Sequence, residues 1–310
     1  MARICLYPAL CLNNRVKQTN WYKNVIPDLD NYPTNKWYRE HLERNYDIVV
    51  VGSSTGVYDF DFTGLDIKYF NWSLQPQAME YSLKVLMNFF SIIKKDGLVI
   101  IPFSPFSGLR ALGKQGKEID DRYYHLLDRT LIDNLPEVSR RRNYPLYYHP
   151  KESFKRLIKD VPPRKQGRNC RICHTSAEFQ TDACKWIDGW MREFNIQDLN
   201  APLSSENRQS MAARSATLQS IVDFCAERDL RLFLVMPPIH PALADKFTPT
   251  FRQNYIYNFL KPFKSQGVPY YDYMDSNKFK ADNLFDNAYF MSQKGAAVFT
   301  REFIKQLGLE

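Results

Sequence analysis

Three kinds of side chain in this sequence have the types and placement that acyl chemistry requires. Ser53-Ser54 follows the apolar run Tyr46–Val51 and Gly52; Asn71 and Ser104 lie just beyond two later apolar runs, and His240 beyond a fourth. A serine hydroxyl attacks a carbonyl carbon only when a base within hydrogen-bond reach takes its proton, and the oxyanion that develops needs donors aimed at it. In that scheme Ser54 is the nucleophile. Its own N–H, the Asn71 amide and the Ser104 hydroxyl are the oxyanion donors, and Gly52 lets the backbone turn close to the ligand. His240 is the base, and Asp286, or alternatively Asp245, orients its ring. Each residue also has a plainer reading. Ser53 and Thr55 can satisfy backbone groups in the turn, and an imidazole held between Pro238 and Pro241 can simply pack against the rim.

Positioning these groups on one edge requires a parallel sheet. Asp47-Ile48-Val49-Val50-Val51 is a short continuous apolar run stopped by glycine, the pattern of a strand buried on both faces. Ile67–Phe70, Leu98–Pro102, Leu230–Met236 and Val268–Tyr273 repeat it, with helical periodicity over 77–95, over Met211–Cys225 and in the terminal segment to Leu307. The stripe Phe251, Tyr255, Phe259, Phe263 has helical spacing and faces a core. Strand alternating with helix predicts an α/β fold, a three-layer sandwich around a five-stranded parallel sheet. In such sheets ligands bind outside the carboxyl ends of the strands, the edge to which Ser54, Ser104 and His240 are all assigned. The predicted organisation is an N-terminal arm over 1–45, an α/β core made of 46–108 and 206–310, and a helical insertion over 109–205 acting as lid or docking surface. His41 in the arm, and His125 and His149 in the insertion, read as structural or solvated.

The 310 residues carry a formal charge of +8, and Ser139–Arg171 alone holds eleven Lys or Arg against two acids. This basic stretch accounts for the whole excess and suits an anionic ligand, whether phosphate, acidic sugar or membrane surface. No helix-turn-helix, zinc-finger or RNA-binding motif accompanies it, so nucleic acid is not an expected partner. The 40 Tyr and Phe residues supply core, and also surfaces able to stack on sugar rings. Cys170-x-x-Cys173-His174 with Cys184 has the residue types of a zinc site but lacks a second paired half. The six cysteines therefore read as reduced thiols, with no metal and no cofactor expected. Pro8 and Asn13-Asn14-Arg15 cut short the N-terminal apolar stretch, and no run reaches the ~18 apolar residues of a spanning helix. The expectation is a cytoplasmic protein without an integral membrane segment.

Laid out in this order, residues 46–108 and 207–307 resemble the SGNH (GDSL-like) hydrolase superfamily. Val51-Gly52-Ser53-Ser54-Thr55 is similar to its first block, in the Gly-Ser-Ser form found in members that modify cell-envelope polymers. Leu284–Phe299 is similar to the closing Asp-x-x-His-Leu-Asn-x-x-Gly-Ala block, with Gly295-Ala296 in register. The resemblance implies an SGNH/flavodoxin-like fold and a serine esterase or O-acyltransferase with Ser54 as nucleophile. Its substrate would be a carbohydrate or acylated small molecule, a precursor in polysaccharide biosynthesis. The chain departs from the pattern at decisive places: Asn287 and Phe290 stand where the family has its catalytic Asp and His, and phenylalanine accepts no proton. Ser104 replaces the third-block Asn, and no second-block glycine stands near Gln75. The departures keep a second reading open, a catalytically inactive binding or scaffold protein of polysaccharide biosynthesis.

Overall fold

A computed structural model describes residues 2–22, 43–109, 123–124, 126–160 and 170–309. The short helix read around His41, and His125 itself, lie outside the described residues. Five strands form one sheet: β1 (Tyr46–Val50), β2 (Tyr69–Asn71), β3 (Ile93–Pro102), β4 (Arg231–Met236) and β5 (Tyr270–Asp272). Every pairing is parallel and the order is β2-β1-β3-β4-β5. Along this order the chain direction of travel reverses between β1 and β3. That makes their carboxyl ends the switch point at which open α/β sheets hold ligands.

Among the described residues, the α-helices of four residues or more are, in chain order, α1 (Ala2–Val16), α2 (Ser54–Asp59), α3 (Met79–Phe89), α4 (Leu135–Asn143), α5 (Pro145–Tyr148), α6 (Pro150–Ile158), α7 (Ser176–Glu193), α8 (Ser205–Ala226), α9 (Pro241–Ala244), α10 (Asn258–Ser265) and α11 (Gln293–Gln306). The first helical expectation is too long: α3 stops at Phe89, and a 3-10 turn leads into a strand that starts at Ile93. Asp96 has φ +58° there and the β1–β3 register slips between Tyr46 and Ile48. An irregularity of this kind lets a strand begin inside a polar stretch that periodicity assigns to a helix.

The chain divides into two compact units, residues 1–42 with 114–167, and residues 43–113 with 168–310. The stretch 109–205 expected as one insertion is thus shared. Residues 114–167 form a unit with the N-terminal segment, and α7 belongs to the unit of the sheet, where it packs on α9. Within the first unit, Asn13 donates to the Asn143 carbonyl at 2.8 Å and accepts from Leu146 N–H at 3.2 Å, fastening α1 to the α4–α5 turn. The buried Arg142 guanidinium lies over the Tyr22 ring at 4.5 Å. In the second unit the central strands are fully buried, Val49, Val50, Leu98, Val99, Ile100 and Leu234 being without exposure. No described helix is long and apolar enough to cross a membrane.

Candidate functional site at the carboxyl edge of the sheet

β1 ends against β3 so closely that a Cβ on Gly52 would lie 2.9 Å from Pro102 Cδ. Glycine is required at this position by packing. The chain then turns through Ser53 into α2, whose first residue is Ser54. Ser53 Oγ is taken by the Gln77 N–H at 3.1 Å and does not cap α2. Ser54 is half-buried, and its hydroxyl makes no hydrogen bond to a described residue. Gly56, one turn along, packs on Ser73: a Cβ there would meet the Ser73 oxygen at 1.9 Å.

Asn71 lies at the end of β2, beside α2 as expected, with its amide already engaged. Nδ2 donates to the Gly56 carbonyl at 2.6 Å and Oδ1 accepts from Ser73 N–H at 3.0 Å. It splints α2 to β2. Ser104, just past β3, shares a 3.1 Å hydroxyl contact with Ser107, whose oxygen also accepts the Ser104 N–H at 2.7 Å. Ser104 also lies near the buried Tyr289 phenol, whose pKa is driven up by burial and by the negative charge of Asp59, with Ser104 acting to lower it. Glu193, at the end of α7, lies close enough to act on the same phenol, and burial raises its own carboxyl. Asp59, Tyr289 and Glu193 are members of this edge that motif reasoning passed over. The one available signal was Asp59 itself, an acid inside an otherwise apolar turn-and-helix stretch.

His240 is the N-cap of α9. Its Nδ1 accepts the Ala242 N–H at 3.1 Å and its Nε2 lies 3.1 Å from Asp282 Oδ1. A ring nitrogen that accepts a backbone N–H carries no proton, so the proton is on Nε2 and is given to Asp282. The ring is stacked flat on Phe179 at 3.9 Å and edged by Phe285 at 5.3 Å. Neither nitrogen has a lone pair left for a serine. The orienting carboxylate is Asp282, correcting the expectation of Asp286 or Asp245. Asp286 instead accepts from the Cys170 thiol at 3.4 Å, and its carbonyl takes the Cys173 N–H at 2.6 Å.

Burial holds the His240 pKa below its ordinary value, with Asp282 opposing the shift. A base depressed in the folded state contributes stability that is present above the unfolded pKa of about 6.5 and is lost as pH falls from there through the folded pKa. The expected outcome is a denaturation midpoint that drops between pH 7 and pH 5.5. His240→Asn keeps a capping oxygen for the Ala242 N–H and should flatten the drop. Parallel slopes for wild type and variant would contradict this assignment.

The segment in register with a family closing block lies against α2. Met291 N–H donates to Asp59 Oδ1 at 2.9 Å, and the Phe290 ring sits 4.5 Å from Tyr58. Asn287 Oδ1 accepts the N–H groups of Tyr289 and Phe290, both at 2.9 Å, while its Nδ2 donates to the Arg171 carbonyl at 3.1 Å. Phe290 is buried among Tyr58, Trp186 and Tyr289. The positions that would hold a carboxylate and an imidazole thus hold a turn-forming amide and a carbon ring. Cys173 is buried and its thiol pKa is raised by burial and by Asp182, while Cys184 is exposed on α7. Among the described residues no three His, Cys, Asp or Glu side chains are grouped to hold a metal.

Fold and edge together define an α/β protein with an all-parallel five-stranded sheet and a hydroxyl-bearing turn at its switch point. No protein-family model matches the sequence, and no curated protein matches it either.

Proposed function

We propose that this chain is an SGNH-like binding or scaffold protein of polysaccharide biosynthesis, which holds a carbohydrate or anionic glycan precursor without turning it over. One observation carries the reading: Asn287 and Phe290 fill the place of a catalytic Asp–His pair, beside α2, with a satisfied amide and an aromatic ring. His240, brought to the sheet's carboxyl edge by β4, is committed at both nitrogens. Without a base, a serine hydroxyl stays a weak nucleophile. In the same reading the sheet is covered on both faces as a three-layer sandwich. The basic residues of the 109–205 region attract the anionic ligand, and the protein works in the cytoplasm.

The test is labelling with a fluorophosphonate probe alongside p-nitrophenyl acetate turnover, for wild type and Ser54→Ala. The expected result is no label, equal background rates, and binding of an acidic polysaccharide by calorimetry. Stoichiometric label on Ser54, or a rate lost in Ser54→Ala, would overturn the reading in favour of the serine esterase or O-acyltransferase. One feature favours that second reading: the Ser54 oxygen is uncommitted, and the N–H groups of Ser54 and Thr55 donate to no described residue.

A further inference from the structure

Within the basic stretch, α6 presents an exposed face that mixes lysines with large apolar side chains. In α6, Phe154 and Ile158 stand one turn apart and are 51% and 88% exposed, while Ser153 points inward, its hydroxyl donating to the Pro145 carbonyl at 3.0 Å. The helix buries its small polar residue, half-buries Leu157 and turns its other two large apolar residues outward, unlike a helix that serves only its own core. Tyr147 on α5 is 79% exposed, and Tyr144 before it is exposed too.

Lys151 precedes Phe154 by three residues and Lys155 precedes Ile158 by three, so helical periodicity puts all four on one face. Lys159 follows, and all three lysines are exposed. The nearby acids each have a partner, and Glu152 also reaches one of these lysines, its Oε2 lying 4.0 Å from Lys155 Nζ. Glu152 pairs with Arg156, Glu137 pairs with Arg141 at 2.8 Å, and Asp160 accepts the Asn20 and Trp21 N–H groups. Large apolar side chains set singly among lysines suit a fluid acyl boundary, which needs no preformed socket, under a layer of anionic headgroups.

We propose that the α5–α6 face is a peripheral docking surface for an anionic phospholipid bilayer. Tyr147, Phe154 and Ile158 enter the boundary between headgroups and acyl chains, and Lys151, Lys155 and Lys159 lie at the phosphates. The inference is independent of whether Ser54 is catalytic.

The test is co-sedimentation of the full chain with vesicles of phosphatidylcholine mixed with phosphatidylglycerol and, in parallel, of phosphatidylcholine alone. The expected result is binding to the mixed vesicles that weakens with salt, and little to phosphatidylcholine. A lysine near such a surface is worth about 1 kcal/mol, or about fivefold in partitioning. Lys151→Gln with Lys155→Gln should therefore lower binding about 30-fold, and Phe154→Ser with Ile158→Ser by about tenfold or more. These positions are exposed, so an unchanged melting temperature is expected and verifies that each variant is folded. Absence of binding, equal binding to both lipids, or variants that bind like wild type would overturn the proposal. So would a wild-type dimer in sedimentation velocity that Phe154→Ser with Ile158→Ser dissolves, since a second copy would then be the occupant.

Discussion

Phe106→Ala is expected to destabilise the sheet-bearing unit by about 3–5 kcal/mol, the range for emptying a buried aromatic site. Phe106 follows β3 by four residues and is buried. Its ring meets five others: Trp190 at 5.1 Å, Phe194 at 5.3 Å, Phe251 at 5.1 Å, Phe247 at 6.0 Å and Tyr255 at 6.1 Å. Those rings come from α7 with the Phe194 that follows it and from the Phe247–Tyr255 segment, so a single side chain ties two distant stretches to the end of a central strand. The surrounding rings are themselves wedged together, Phe251 lying on Tyr255 at 4.6 Å, which limits how far they can collapse into the void. Urea unfolding followed by tryptophan emission measures the cost, because Trp190 lies against the deleted ring. Phe106→Leu should recover more than half of it. A loss below about 1 kcal/mol for the alanine variant would show that the cluster holds without its centre.

Gly295→Ala is expected to cost about 3 kcal/mol, at the upper end of overpacking effects. A Cβ on Gly295 would lie 1.9 Å from the Leu284 carbonyl oxygen, a backbone atom that cannot turn aside. Two hydrogen bonds fix that approach: Ser292 N–H to the Leu284 carbonyl at 2.8 Å, and Ser292 Oγ to the Asn283 carbonyl at 3.1 Å. The same serine caps α11 by accepting the Gly295 N–H at 3.1 Å. Prying the two segments apart would open the loop of Asn287 and Phe290, so near-UV circular dichroism from Trp186, 5.5 Å from Phe290, should change together with the melting temperature. Lys294→Ala, one residue earlier and exposed, is the neutral control. Equal stability for both variants would refute the packing argument. Within the Gly295-Ala296 pair, then, the glycine answers to a backbone contact, whatever the chemistry of the edge.

What the sequence by itself determined is the strand set and the edge that bears the hydroxyl turn. Each of the five apolar runs overlaps one of the five observed strands, because a short run of β-favouring apolar residues closed by a turn signal is a local pattern. The lack of a proton acceptor at residues 287 and 290 was equally legible, being a matter of residue type alone. Only the tertiary structure decided which groups meet. His240 finds Asp282, 42 residues away, in preference to Asp286; the Asn71 amide is spent on Gly56; and α7 joins the sheet although its sequence reads as part of an insertion. A hydrogen bond exists or fails within a few tenths of an ångström. That distance is set by the packing of helices and loops far apart in the chain, and nothing in a residue's own neighbourhood encodes it.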